Sequence, residues 1–176
     1  MYAGWMTPGF LRLLGARVGK RTEISTVETI PHLTWIGDRC FLADHSLCAA
    51  AQFRNGWIQL GTTVVGNGSF VGNSGIVGND HDLPEDSLIA VLGSTPERPG
   101  RGTSWLGRSI LQIPRTHVDA DLNETFNPPK RLEIARAIVE AFRFIPVLVV
   151  AYLDLMIVWA GTVIYMTCLL YTSPSP

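Results

Sequence analysis

The sequence predicts a mainly β fold: a parallel β-helix of hexapeptide repeats followed by a C-terminal transmembrane α-helix. Three observations predict it. Val65, Val71, Val77, Leu83 and Ile89 recur six residues apart, and Val18, Ile24, Ile30, Ile36, Leu42 and Cys48 keep the same period. Gly66, Gly72 and Gly78 follow the first three valines, and Asn67, Asn73 and Asn79 come next. A six-residue period fits neither a helix nor a lone strand, so it reports a larger repeating unit. In hexapeptide coils each hexad supplies one short face and points its apolar residue inward. The third observation is the stretch 144–167, whose only charge is Asp154. About 20 apolar residues span a bilayer core.

Residues 1–14 form a lead-in, apolar but broken by Pro8, Gly9 and Arg12, which is not a secretory signal. The repeats occupy residues 15–113. Their two runs are out of phase, and the slip falls in residues 49–64, where Arg54 would otherwise point inward. A slip there predicts an expelled loop or an edge hairpin around Asn55-Gly56, with Phe53 and Trp57 covering a coil edge or facing a neighbouring module. Residues 93–102 are turn-rich and leave the repeat, and Trp105-Leu106-Gly107 adds a last rung.

Residues 114–127 read as a linker. An amphipathic helix over 128–143 starts at Asn127-Pro128, with Asn as cap and Pro at the first helical position. Glu133, Arg136, Glu140 and Arg143 form a self-neutralising, solvated stripe on it. The span at 144–167 follows. Lys130, Arg131, Arg136 and Arg143 precede it, so its N-terminal end and the β-helix are expected in the cytoplasm. Asp154 calls for a partner helix or water. The tail, residues 168–176, reads as the in-frame translation of a transposase mosaic-end sequencing adapter, and the chain then reads as a fragment of a longer frame.

Composition excludes several functions. The formal charge of −1 gives no electrostatic case for nucleic acid. Cys40, Cys48 and Cys168 form no CxxC pair, and no Cys/His cluster has zinc spacing, so no metal site is expected. Cys40 and Cys48 sit at inward positions and read as small buried hydrophobes. The asparagine series reads as a structural stack at the turns.

The order of motifs supports a resemblance. Leu13-Leu14-Gly15-Ala16-Arg17-Val18-Gly19, Glu23-Ile24-Ser25-Thr26, Ile36-Gly37-Asp38, Phe41-Leu42-Ala43-Asp44, Val71-Gly72-Asn73-Ser74 and Thr103-Ser104-Trp105-Leu106-Gly107 come in sequence, followed by the span. Together they resemble the acyltransferase-like hexapeptide module in the C-terminal membrane region of peptide-synthetase-like proteins, the poly-lysine synthetase group. The resemblance implies a left-handed β-helix, an exception to the right-handed rule for parallel crossovers. It implies sister β-helix modules or a homo-oligomer as partners, a membrane, and a carrier domain. It implies transfer of an aminoacyl or acyl group from a thioester to an amine or hydroxyl, with a loop histidine as general base. No resident cofactor is implied. The donor is coenzyme A or a carrier phosphopantetheine thioester. Gly107-Arg108-Ser109 stands where small acetyltransferases close with Gly-x-Pro-Ala near the pantetheine arm, a departure that counts against coenzyme A binding.

The histidines are His32, His45, His81 and His117. His81, in Asn79-Asp80-His81-Asp82, and His45, which points outward from a turn, are the candidate bases, each weighed against an ordinary surface histidine. Two other readings stay open: a non-catalytic scaffold module and a free-standing hexapeptide O-acetyltransferase. The histidine spacing does not support the three-histidine zinc site of a γ-type carbonic anhydrase.

Overall fold

A computed structural model describes residues 6–115 and 127–172. The chain divides into two compact units, Met1–Asn127 and Pro128–Pro176.

The first unit opens with helix α1 (Met6–Leu13), which buries Leu11. Fifteen short strands follow among the described residues, and most pair in parallel across successive coils. The first face stacks β1 (Arg17–Val18), β4 (Thr34–Ile36), β9 (Thr63–Val65) and β12 (His81–Leu83). The second stacks β2 (Glu23–Ile24), β5 (Phe41–Leu42), β10 (Phe70–Val71), β13 (Leu88–Ile89) and β14 (Ser104–Leu106), and β15 (Leu111–Ile113) closes it antiparallel. The third stacks β3 (Val27–Thr29), β6 (Ser46–Cys48) and β11 (Ile76–Val77). The remaining pair, β7 (Gln52–Arg54) and β8 (Trp57–Gln59), stands apart as a two-stranded antiparallel hairpin.

The hexad residues line one interior. Ile36, Val65 and Leu83 stack on the first face, and Ile24, Leu42, Val71 and Ile89 on the second, all buried. On the third face Cys48 and Val77 are buried. Val18 is half-buried at the open end of the first face.

Four expectations need correction. Ile30 leaves the inward register, and Thr29 pairs beneath Cys48 instead. Pro31 holds Ile30 extended, and a 3₁₀ turn over Pro31–Leu33 takes up the displaced residue before β4. The hexads on either side compensate, one short and one long. Thr95 is buried and Ser94 bridges Ile76, so the third face continues into residues 93–95. Of the two alternatives for Phe53 and Trp57, covering a coil edge is excluded, since both are exposed; facing a neighbouring module is the one that stays open. The helix of the second unit starts at Lys130, with Pro129 at its cap and no side-chain cap bond. Two consecutive prolines hold Pro128 out of the helical region, so Asn127 is too far upstream to cap.

Within the coil, corners are tied by a ladder of polar side chains. The Lys20 backbone N–H donates to Asp38 Oδ1 (2.6 Å), and the Asp38 N–H donates to Asn67 Oδ1 (2.8 Å). Asn67 Nδ2 then donates to Glu85 Oε1 (3.0 Å), and Arg101 meets Glu85 at 2.8 Å. At the next corner the Asp44 N–H donates to Asn73 Oδ1 (3.2 Å). The asparagines are therefore structural rungs. Gly66 and Gly72 are needed for close approach: a Cβ would lie 2.5 Å from Glu85 N at the first and 2.7 Å from Val91 N at the second.

The second unit holds α2 (Lys130–Phe142) and α3 (Phe144–Thr172). The break follows from Pro146, which lacks an N–H and whose ring would meet the carbonyl of Phe142 in a continuous helix. On α2, Arg136 Nε pairs with Glu140 Oε1 at 3.0 Å, four residues on, in the predicted stripe. Among the described residues there is one helical run long and apolar enough to cross a membrane, and none of its apolar window is buried. Thr162 and Thr167 return their hydroxyls to carbonyls of their own helix, at 2.8 and 3.0 Å, which satisfies them without water.

Candidate functional site

His81 opens β12, and the stacked threonines beneath it explain its setting. Thr34 and Thr63 hold the equivalent position in the lower coils, both fully buried. Each closes a corner: Thr63 Oγ1 donates to the Gly78 carbonyl at 2.7 Å, and Thr34 Oγ1 to Ile30 O at 3.0 Å. In the upper coil the imidazole replaces the threonine and is half-buried. Gly78 gives it room: a Cβ there would lie 3.1 Å from Nδ1.

His81 Nδ1 lies 2.7 Å from the Asn79 carbonyl oxygen. A carbonyl only accepts, so Nδ1 carries the proton. The neutral ring then keeps its lone pair on Nε2, the state a general base requires. The turn that sets this geometry is itself fixed. Asp80 takes a left-handed conformation (φ 57°). Its N–H donates to Thr62 O (2.8 Å), and its Oδ1 accepts from the Thr62 N–H (3.3 Å). Asn79 Nδ2 donates to Gln59 O (3.2 Å). The base of the β7–β8 hairpin is thus bonded to the His81 turn.

The other histidines are not brought to this turn. His45 sits in the left-handed position of a second-corner turn (φ 54°), exposed, with its N–H held by Thr26 Oγ1 at 2.8 Å. No hydrogen bond orients its ring among the described residues. His32 is exposed on the 3₁₀ turn, and His117 lies outside the described residues. An open groove of about 260 Å³ lies at the first corner, lined by Arg17, Trp35, Val64, Asn67 and Glu85 among others, with no histidine. The Arg17 guanidinium stacks on the Trp35 ring, 4.6 Å from its centre.

No cluster of three or more metal-ligating side chains occurs among the described residues. Cys40 and Cys48 are buried, as their inward register predicts. Burial pushes both thiols up, Cys48 to about 12, so neither is a ready nucleophile. Reading the sequence alone missed the orienting carbonyl and the tie to Gln59. It also missed the Arg17–Trp35 stack, which the 18-residue coil spacing between those two positions could have revealed.

No family model matches the chain. It is 33% identical over 150 residues to the delta-poly-L-ornithine synthetase of Acinetobacter baumannii (strain AB307-0294), a match that takes in 82% of this chain. The chain spans only 11% of that protein's length. Among solved structures it is similar to a maltose O-acetyltransferase from Clostridium difficile 630, with TM-score 0.51 and 14% identity, over 62% of this chain and 74% of that one. The fold is shared with an acetyltransferase. An N-acyltransferase from Bacillus cereus, in complex with a dTDP-amino sugar and coenzyme A, aligns at TM-score 0.38 and 12% identity, over 80% of this chain and all of that one. That last likeness is too low to argue from. The parallel sheets and the acetyltransferase likeness together make the first unit β-helix-like.

Proposed function

We propose that this chain is a membrane-anchored, acyltransferase-like β-helix module of a non-ribosomal peptide-synthetase-like protein. The observation that carries the reading is the 33% identity to a poly-ornithine synthetase across 82% of the chain. The coil is left-handed in this reading, α3 is the anchor, and the basic residues before it hold the β-helix on the cytoplasmic side of the cell membrane. Sister modules or further copies supply the neighbouring surfaces, and a carrier domain delivers the donor.

The reaction is transfer of an aminoacyl or acyl group from a thioester, on coenzyme A or a carrier phosphopantetheine, to an amine or hydroxyl. His81 Nε2 accepts the proton as the nucleophile forms its bond to the thioester carbonyl. The tetrahedral centre then collapses with cleavage of the C–S bond. The imidazolium returns the proton to the departing thiolate, which leaves as a thiol. The hydrogen bond from Nδ1–H to Asn79 O supports this role, because it fixes the tautomer through the cycle.

The test is acyl transfer from a thioester donor by the full-length protein. His81→Gln lowers kcat by about 10²- to 10⁴-fold, as expected on losing a general base, whereas His45→Gln leaves it nearly unchanged. A second reading, a scaffold module without chemistry, is favoured by the groove at the first corner, which contains no histidine. Unchanged turnover in the His81→Gln protein selects it. Turnover without adenylation or carrier domains selects a free-standing O-acetyltransferase.

A further inference from the structure

The β7–β8 hairpin is not accounted for by the chemistry at His81. It interrupts the coil: Ile36 to Val65 spans 29 residues, whereas Val65 to Leu83 spans 18. Cross-strand partners share a face. Phe53 pairs with Ile58 on one face, and Arg54 with Trp57 on the other. All three large apolar side chains are exposed, Phe53 by 76%, Ile58 by 61% and Trp57 by 80%. Two strands alone are marginally stable in water, so this arm needs surroundings that the coil does not supply.

The distribution of those side chains decides between surroundings. A protein partner seated on one face would leave the other face's bulk in water. Phe53 and Ile58 make one face apolar, while the other sets the Trp57 ring among Arg54, Gln52 and Gln59, a mixture of ring, amide and cation that suits the bilayer interface instead. Trp and Phe are at home in the bilayer interface, where the ring is apolar on one side and wet on the other. Arg54 is the only charge between residues 50 and 63, and it is cationic, the sign that meets anionic headgroups. The strands are three residues long, or roughly 10 Å, which matches the 5–10 Å depth of interfacial segments.

We infer that the β7–β8 hairpin is a second membrane contact, immersing Phe53, Trp57 and Ile58 in the interface of an anionic bilayer. The inference rests on the membrane-anchored part of the function proposed above.

The experiment uses the whole chain in vesicles of phosphatidylcholine with and without phosphatidylglycerol. An environment-sensitive fluorophore is attached at Phe53→Cys in a Cys168→Ser background, with Glu97→Cys as an aqueous control. The expected result is a blue-shifted emission at position 53, quenching by nitroxide-bearing lipid and loss of quenching by iodide. Position 97 shows none of these. Arg54→Glu weakens the effect of phosphatidylglycerol. Co-flotation with the vesicles reports on α3 separately. A chain that floats with an unshifted label at 53 overturns the hairpin contact and leaves the anchor standing. A chain that does not float overturns both. A blue shift that persists in detergent and grows with protein concentration identifies a second copy as the occupant and overturns the membrane contact.

Discussion

Val71 stacks between Leu42 and Ile89 with none of its surface exposed. Val71→Asp places a carboxylate there with no partner, or forces its neutralisation, and is expected to cost about 3 kcal/mol or more. Urea unfolding of the full chain in detergent measures it, and an unchanged midpoint would show the register to be wrong. Cys48 carries a pH prediction. Its folded-state pKa is raised from 9.0 to about 12 by burial. The folded state therefore keeps a proton that the unfolded state releases, and the stability is full below about pH 9. It declines as pH rises from there toward 12, with a slope of up to about 1.4 kcal/mol per pH unit from this group. Cys48→Ala flattens that slope, and unfolding midpoints across the window check it. The period of six exposed both residues, because it depends on side-chain size alone. It misplaced Ile30, whose apolar side chain fits the pattern while the backbone constraint of Pro31 moves Thr29 into its place. His81 was nameable as a candidate, but its orientation was not, since a main-chain carbonyl sets it.

At the scale of elements, the phase slip between Cys48 and Val65 was legible as an expulsion, and Asn55-Gly56 named its turn: both residues have positive φ, 48° and 78°. What the sequence did not disclose is the fastening of the hairpin base to the Asn79–Asp80 turn, because each of those bonds has a backbone group on at least one side, met by the Asn79 amide, the Asp80 carboxylate or another backbone group. Eleven residues separate the long coil interval from the regular one. Excising residues 51–61 should therefore restore six residues between Cys48 and Val65 and let β6 feed β9 directly. The expected cost is about 1 kcal/mol, the loss of the Asn79-to-Gln59 hydrogen bond, with cooperative unfolding retained. A collapse of cooperativity would mean that the hairpin is structural to the coil. The start of α2 was misplaced for a local reason, a Pro-Pro pair that delays the helix to Lys130.

For the whole molecule, the question is what surrounds α3. Its apolar side chains are exposed along its length, among them Leu148, Leu155, Ile157 and Trp159. In water such a helix would expose far more contiguous apolar surface than soluble proteins carry. In a bilayer that surface is covered, and the back-bonded Thr162 and Thr167 add no unsatisfied hydroxyl. Over the span 144–167 the helix runs about 36 Å, longer than a hydrocarbon core of about 30 Å. The excess leaves room for tilt and for Asp154 to be placed toward a partner helix or a hydrated interface. In the reading proposed above, the basic residues of α2 set the direction. With Arg131→Cys in a Cys168→Ser background, a membrane-impermeant thiol reagent should label only after the cytoplasmic side is opened. Cys168, at the far end, should label from outside. Retention of the chain in the pellet after carbonate extraction completes the test. Recovery of the chain in the soluble fraction without detergent, or labelling of both positions from one side, would remove the anchor and with it the cytoplasmic placement of the β-helix.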